Sequence, residues 1–247
     1  MNRLDWDART YDRIADPMHR WGLSVLDRLP LAGDERVLDA GCGSGRVTEV
    51  LAERLPNGQI LALDASPSML VEARRRLGRF GDRITFIEAD LGRPLLLGEP
   101  VDAVLSTATF HWIPDHATLF RNLAAVMRPG ARLMAQCGGA GNIEGLLEVA
   151  RTVDPRLDPP FTFATPLDTA ARLEAAGFAN VEVWLTDEPV RLEPGSAFES
   201  YLETVCLREH VAGLAAPQRS AFIIEVARRM PEPLLDYVRL NIVAVRR

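Results

Sequence analysis

The stretch "VLDAGCGSGRVTEVL", residues 37–51, decides the fold. It begins with an apolar run that ends in Asp39, continues with Gly41, Gly43 and Gly45, and then takes the spacing of an amphipathic helix. A turn from strand to helix leaves backbone N–H groups unpaired, and glycines let a ligand approach that backbone closely. The stretch therefore predicts a strand–turn–helix unit that binds a phosphate, a dinucleotide or another adenosine-containing cofactor.

The composition describes a globular chain without an overall basic charge. The 247 residues are 47% hydrophobic, which is enough for a substantial core, and the formal net charge is -6. This acidic balance argues against a nucleic-acid partner, because phosphate contacts need a basic surface. All 28 basic residues are arginine, which excludes lysine chemistry such as Schiff-base formation.

The cysteines and the hydropathy pattern bound the environment of the protein. Cys42, Cys137 and Cys206 are far apart and have neither metal-ligand nor disulfide spacing. Residues 1–10 contain no apolar signal region, and no apolar run reaches membrane-spanning length. We therefore expect a cytoplasmic protein with no metal site and no membrane partner.

Strands and helices alternate through the first half of the chain, which predicts parallel βαβ units in a doubly wound sheet. The second half is less regular, with a loop at 154–166 and a closing strand at 235–247. The other predicted strands are 35–41, 58–66, 83–90, 101–109, 131–139 and 180–190. The predicted helices are 44–55, 66–78, 115–128, 143–153, 167–178, 196–214 and 217–230, with one or two more in 5–29.

The glycine spacing disfavours two of the three ligand classes. A dinucleotide fingerprint G-x-G-x-x-G would place its third glycine at position 46, which is Arg46. A phosphate-binding P-loop would need a lysine after its last glycine, and the chain has none. Both phosphate-centred interpretations are weak.

Acidic residues end the next two strands. Asp64 ends "LALDAS", where a carboxylate can accept hydrogen bonds from both ribose hydroxyls, and this alone leaves NAD and S-adenosylmethionine open. The third strand ends in "IEADL", where Asp90 can accept from an adenine amino group and the Leu91 backbone can pair beside it. The two acids, together with Asp39 ahead of the glycines, predict an adenosine site.

The motifs "VLDAGCGSG", "LALDASPSML", "FIEADL" and "VDAVLSTATFHWIPD", in this order and spacing, resemble the class I S-adenosylmethionine-dependent methyltransferases. The resemblance is close over residues 11–136 and extends to the rest in architecture. It implies an α/β fold, a Rossmann-like doubly wound seven-stranded sheet of order 3-2-1-4-5-7-6 with the last strand antiparallel, and a helical lid.

The resemblance also implies roles for individual residues. Asp39 and Gly41 are expected near the methionine amino group, Asp64 at the ribose, and Met69 and Asp90 at the adenine. The backbone carbonyl of Thr107 is expected at the methionine ammonium. The predicted cofactor-binding set is Asp39, Gly41, Cys42, Gly43, Gly45, Asp64, Ala65, Met69, Asp90, Leu91, Thr107 and Trp112.

The segment "ATFHWIPDH" is similar to the small-molecule carboxyl methyltransferases of the trans-aconitate and juvenile-hormone-acid type, as is the N-terminal pair Trp6 and Tyr11. His111 and Tyr11 are the candidate catalytic residues. His111 can orient a substrate oxygen, act as a base, or cap the next helix. Tyr11 can close over the sulfonium, because an aromatic face attracts a cation, or pack on the core.

The acceptor is predicted to be a small molecule, preferably a carboxylate, which is ionised at neutral pH and needs no base. A phenol or enol carbon would need one, with His111 as the candidate. A non-catalytic S-adenosylmethionine-binding module is the other alternative. Methylation of DNA bases or protein amides is disfavoured, because "STAT" follows the fourth strand where those enzymes have an Asn/Asp-Pro-Pro-Tyr-like turn. Arg20 and Arg208 are candidate carboxylate partners from the lid.

One domain is predicted over residues 1–247. Residues 1–30 form an N-terminal helical lid, 31–139 the cofactor-binding core, 140–165 and 188–230 lid insertions, and 166–187 and 231–247 complete the sheet. Five polar residues of the lid are expected to be solvated rather than catalytic. They are His19, Arg20, Tyr201, Arg208 and His210.

Overall fold

The computed structural model describes residues 16–247 and contains a seven-stranded sheet. From one edge to the other, its strands are β3 (Ile84–Glu88), β2 (Gln59–Asp64), β1 (Arg36–Ala40), β4 (Val101–Thr107), β5 (Met127–Gly138), β9 (Val238–Arg246) and β6 (Phe178–Asp187). The pairs β1–β2, β2–β3, β1–β4 and β4–β5 are parallel, whereas β9 is antiparallel to both β5 and β6. A separate pair joins β7 (Val190–Arg191) to β8 (Leu234–Leu235). Because the two short strands between β6 and β9 form a separate pair, β9 is the seventh strand of the main sheet in chain order. The predicted fold class and the predicted strand order 3-2-1-4-5-7-6, with the last strand antiparallel, are confirmed.

Helices cover both faces of the sheet, and several begin with the cap that the sequence supplies. Ser66 Oγ accepts from the Met69 N–H at 3.3 Å, and Pro67 follows in the first helical position. The helices are α1 Asp16–Asp27, α2 Arg46–Arg54, α3 Pro67–Leu77, α4 His116–Ala125, α5 Glu144–Val153, α6 Pro166–Ala175, α7 Ser196–Tyr201, α8 Arg208–Ala212 and α9 Ala216–Arg229. No helix within residues 16–247 is long and apolar enough to span a bilayer.

Alternate residues of the central strands enter two different apolar layers. In β1, Leu38 joins the layer under α4 and α6, while Val37 joins the layer under α1, α2 and α3. A parallel strand covered on both faces is apolar at nearly every position, which is why β1 and β2 read as continuous apolar runs. A third apolar cluster joins Trp21 to residues of α5, α7 and α9, above the carboxyl ends of the strands.

Two predicted elements differ from the structure. The helix predicted to run to Pro129 and Gly130 ends at Ala125, and β5 already begins at Met127. The pairing of β5 with β4 is interrupted between Val101 and Ala103 by a bulge. The bulge accommodates Pro129, which has no N–H, and Gly130, which has φ of 84°.

The predicted helix over 196–214 is divided into α7, a π-helical segment at Leu202–Cys206, and α8. The Leu207 N–H donates to the Leu202 carbonyl at 2.8 Å, the five-residue spacing of a π turn. Of the predicted helix at 5–29, residues 16–27 are helical, and the earlier part lies outside the described residues.

Candidate active site

A cavity opens at the carboxyl ends of the parallel strands, where ligands of doubly wound sheets bind. One side is lined by the β1–α2 turn and the ends of β2 and β4. The other side is lined by residues from the loop after α5, the π-helical segment, the start of α8, and the start of β9. The first side comes from neighbouring strand ends, and the second brings together segments that are far apart in the sequence.

The glycine turn presents its backbone to the cavity, and its glycines adopt the left-handed conformation that larger residues disfavour. The Gly41 N–H and the Cys42 N–H both donate to the Leu63 carbonyl, at 2.8 and 2.9 Å, which ties the turn to β2. Gly41 has φ of 90°, and a Cβ there would lie 2.1 Å from Thr109 Oγ1. Gly43 has φ of 53°, and a Cβ at that position would meet nothing within 4 Å.

Asp64 organises the junction between the turn and α3. Its Oδ2 accepts from the Gly43 N–H at 2.9 Å, and its Oδ1 accepts from the Ser66 N–H at 2.8 Å. A carboxylate has about four acceptor positions, so such a group can accept from hydroxyl donors as well as from backbone N–H groups. Asp64, Ala65 and Met69 all line the cavity.

Asp90 and Gly45 do not line the cavity, although Leu91 does. Asp90 Oδ1 accepts from the Gly92 N–H at 2.8 Å and forms a local turn after β3. Gly45 has φ of 84°, and a Cβ there would lie 2.9 Å from Leu77 Cδ1, so this glycine permits α2 to pack against α3. Their predicted roles as direct cofactor contacts stay predictions.

Asp39 lies behind the turn rather than in the cavity wall. Its side chain is buried, and its Oδ2 accepts from Thr48 Oγ1 at 2.6 Å. Burial raises the pKa of Asp39 to about 7. The hydrogen bond from Thr48 lowers this pKa, and the negative charge of Asp64 raises it further. Its predicted contact with the methionine amino group also stays a prediction. Its visible contact is to the first turns of α2.

Cys42 lines the cavity but is not activated as a nucleophile. Its Sγ lies 3.6 Å from the Gly43 carbonyl oxygen. Burial raises the pKa of its thiol well above the usual range, and the nearby charges of Asp39 and Asp64 add to the increase. This environment agrees with the role of a small side chain within the turn.

Thr107, His111 and Trp112 line the cavity beyond the end of β4. The chain reverses through Ala108, which has φ of 56°, and enters a short 3-10 segment at Phe110–Trp112. The structure therefore brings the predicted residues Thr107, Trp112 and His111 to the same cavity as the glycine turn.

The ring of His111 is held in one tautomer. The Gly138 N–H of β5 donates to His111 Nδ1 at 3.3 Å, so the neutral ring carries its proton on Nε2. Burial lowers the pKa of His111 well below its usual value, and the positive charges of Arg239 and His116 lower it further. His111 is therefore a neutral hydrogen-bond donor at physiological pH, and Nδ1 is already occupied by a backbone donor.

Arg239 was missed by sequence reasoning, and it is the most deeply buried cation in the cavity wall. It lies on β9, is 2% exposed, and stacks its guanidinium 4.7 Å from the ring centroid of Trp21. An arginine within a mostly apolar strand pattern, "YVRLNIVAV", is the signal that could have found it.

Arg208 lines the cavity from the start of α8 and pairs with Glu209 at 2.8 Å. The expectation that Tyr201 is solvated is wrong, whereas His19, Arg208 and His210 are partly exposed. His19 and Arg208 line the cavity, Tyr201 is buried, and the His210 Nε2 lies 3.2 Å from Asp154 Oδ2. The helical pattern over 196–214 did not reveal the π-helical interruption that separates Tyr201 from Arg208.

Arg20 is exposed and does not line the cavity, so it is not a carboxylate partner in this structure. Tyr11, the second catalytic candidate, and Trp6 lie outside the described residues. Within residues 16–247, no group of three or more His, Cys, Asp or Glu side chains could hold a metal ion.

The residues present fit an adenosylated cofactor. Gly43 leaves open space above the backbone, and Asp64 offers carboxylate oxygens beside it. Leu91 and Met69 supply apolar surface at the neighbouring strand end. This combination of close backbone approach, a hydroxyl acceptor and an apolar wall is what a nucleoside requires.

Sequence comparisons identify relatives over most of the chain. A family model described as a methyltransferase domain matches residues 37–130. A trans-aconitate 2-methyltransferase of Methylobacterium nodulans is 38% identical over 74% of this chain and 67% of that protein. One of Azoarcus sp. is 33% identical over 98% of this chain and 99% of that protein.

Solved structures share the fold at low sequence identity. The chain matches phosphoethanolamine N-methyltransferase 2 of Haemonchus contortus, in complex with phosphomonomethylethanolamine and S-adenosylhomocysteine, with a TM-score of 0.66 and 19% identity, over 97% of this chain and 56% of that one. It matches the YcgJ protein of Bacillus subtilis with a TM-score of 0.64 and 17% identity, over 93% and 98% of the two chains.

Proposed function

We propose that this enzyme O-methylates the carboxylate of a small molecule. The chain belongs to the S-adenosylmethionine-dependent methyltransferases and to the group that includes trans-aconitate 2-methyltransferase. The observation that carries this proposal is the state of His111, a neutral donor whose Nδ1 is occupied by the Gly138 N–H. A histidine in this state can hold an acceptor oxygen but cannot remove its proton.

A carboxylate is the acceptor that such a site can use without a base. S-adenosylmethionine supplies, when bound, a methyl group on a positively charged sulfur. A carboxylate is ionised at neutral pH and can attack that methyl without losing a proton, whereas a phenol or an alcohol must first be deprotonated. The chain then needs only to align the oxygen and exclude water.

Arg239 and His111 are the residues we assign to hold the acceptor carboxylate. Both line the cavity, and the charge of Arg239 lowers the pKa of His111, so the two groups are near each other. A guanidinium can bind a carboxylate through two parallel hydrogen bonds, and the His111 Nε2–H can donate a third. Arg239 thereby neutralises the acceptor and fixes its orientation.

We infer that the predicted segments of the chain divide cofactor binding from acceptor binding. Residues 31–139 hold the cofactor, and residues 140–165 and 188–230, together with the described part of the predicted N-terminal lid, 16–30, cover the acceptor. Residues 166–187 and 231–247 complete the sheet, with Arg239 at the start of the last strand. The binding of a trans-aconitate-like acid is proposed from the names of the relatives and from this buried arginine.

The pH dependence of methyl transfer tests the function. Burial holds the pKa of His111 well below its usual value, so the ring stays neutral through the neutral pH range, where a carboxylate is ionised, and neither group changes charge. We expect kcat/KM for trans-aconitate to vary less than about threefold between pH 6.5 and 8.5.

The variant His111→Gln provides the matched comparison, since an amide can donate a hydrogen bond but cannot serve as a base. It should retain a level pH profile and measurable activity. A wild-type rate that rises tenfold per pH unit, or a bell-shaped profile that His111→Gln abolishes, would show a base mechanism. Transfer to phenols but to no carboxylic acid would contradict the proposal as well.

A further inference from the structure

The loop after α5 carries two phenylalanines that face the cavity next to His111. Phe161 and Phe163 both line the cavity, and the intervening Thr162 donates its N–H to the His111 carbonyl at 2.8 Å. In an extended segment, side chains two residues apart point to the same side. The backbone bond at position 162 therefore holds both rings toward the cavity.

The two rings stack on one another beside the cavity. They are stacked, with centroids 5.1 Å apart and planes inclined by 17°. The His111 ring lies 6.0 Å from each of them, and Trp112 makes an edge contact with Phe161 at 4.7 Å. These four residues, Phe161, Phe163, His111 and Trp112, are called the aromatic wall below.

The wall is fixed at its base by β5. A Cβ added to Gly138 would lie 2.7 Å from Phe163 Cε1, so the ring lies directly on the backbone of that glycine. The same Gly138 donates its N–H to His111 Nδ1. One backbone position therefore sets both the ring of Phe163 and the donor direction of His111.

We propose that Phe161 and Phe163 form a subsite for a flat, conjugated segment of the acceptor, adjoining the carboxylate held at His111. This inference rests on the proposed function. A planar π system can continue the stack of the two rings, whereas a saturated chain has no π surface and makes only apolar contact with them. The subsite therefore selects between acids of equal charge by the presence of a double bond next to the reacting carboxylate.

The test compares two acids that differ only in saturation. Trans-aconitate and propane-1,2,3-tricarboxylate have the same carbon number and the same three carboxylates, and only the first contains a carbon–carbon double bond. The measured quantity is the ratio of kcat/KM for the unsaturated acid to that for the saturated acid. Because both values come from one preparation, a variant that is partly inactive leaves this ratio unaffected.

We expect Phe161→Leu to lower the ratio about 3- to 10-fold, since leucine keeps the apolar contact but removes the π surface. Phe163→Leu should lower it as well. The control is Phe80→Leu, a phenylalanine in the segment Gly78–Arg83 that does not line the cavity and should leave the ratio unchanged. Titration with S-adenosylhomocysteine verifies that each variant is folded and binds the cofactor product.

The outcomes separate the inference from the proposed function. If both acids are methylated and the ratio stays the same in Phe161→Leu and Phe163→Leu, the subsite is wrong while carboxylate methylation stands. If the wild type binds S-adenosylhomocysteine but methylates neither these acids nor any other carboxylate, the proposed function fails and the subsite fails with it.

Discussion

The two sides of the cavity are built in different ways. The cofactor side comes from residues 37–91 and is made of backbone N–H groups, glycines and one carboxylate, Asp64, at a strand end. The acceptor side is made of side chains that lie far apart in the sequence, such as His111, Phe161, Arg208 and Arg239. The first depends on local chain geometry, and the second depends on how distant elements meet.

This difference explains why one fold can keep its cofactor while its acceptors vary. A glycine turn between a strand and a helix determines its own shape, so few residues outside it are needed. The acceptor side depends on the loop after α5, the interrupted helix around Leu202–Cys206, and the first residues of β9. Loops and irregular helices tolerate change without loss of the sheet that holds the cofactor.

The largest expected effect comes from Arg239. Replacing it with glutamine removes the buried cation that we assign to the acceptor carboxylate. We expect Arg239→Gln to lower kcat/KM for trans-aconitate by about 30- to 1000-fold, the loss typical of a buried charged partner. Affinity for S-adenosylhomocysteine, measured by calorimetry, should change less than about threefold, because the cofactor side is separate.

Two variants sharpen this result. Arg239→Lys keeps the charge but loses the planar pair of donors, so it should recover only part of the activity. Arg132→Gln makes the same change on the exposed part of β5 and should behave as wild type. Equal losses of acceptor activity and cofactor affinity in Arg239→Gln would mean that the two sides are not independent.

A smaller effect, on cofactor binding rather than on the acceptor, is expected from a substitution at Asp64. Asn at this position keeps the size of the side chain but presents an amide to the Gly43 and Ser66 N–H groups and a weaker acceptor to a ribose. We expect Asp64→Asn to weaken binding of S-adenosylhomocysteine by about 5- to 100-fold. Asp82→Asn, an exposed change in the segment Gly78–Arg83, is its control.

Saturating the cofactor should restore the acceptor KM of Asp64→Asn to the wild-type value, since no acceptor residue has changed. An unaltered affinity for S-adenosylhomocysteine would remove Asp64 from the cofactor side. Together with Arg239→Gln, this variant tests the comparison from both directions.

Sequence patterns predicted the sheet and most of the cofactor side because both depend on local spacing. The apolar runs of β1 and β2 and the glycines after β1 determine the strand–turn–helix unit without reference to distant residues. The same patterns could not place Asp39, because a helix residue, Thr48, accommodates that carboxylate and burial raises its pKa to about 7.

The acceptor side could not be predicted to the same extent. Arg208 and Tyr201 lie on a helical pattern whose interruption at Leu202–Cys206 is not visible in residue spacing. Phe161 and Phe163 lie in a stretch that we expected to be a loop, and their contacts with His111 exist only through the tertiary fold. The position of Arg239 in the cavity wall depends on the pairing of β9 with β5, which residue spacing does not reveal.

The chemical identity of the product tests the central claim most directly. The enzyme is incubated with S-adenosylmethionine labelled in its methyl group and with trans-aconitate, and the purified product is treated with mild alkali. Hydroxide cleaves a methyl ester to methanol, but it leaves methyl ethers and C-methyl groups intact. We predict that the label is released quantitatively as volatile methanol. A labelled product that resists alkali would contradict a site built from Arg239 and a neutral His111 to present a carboxylate.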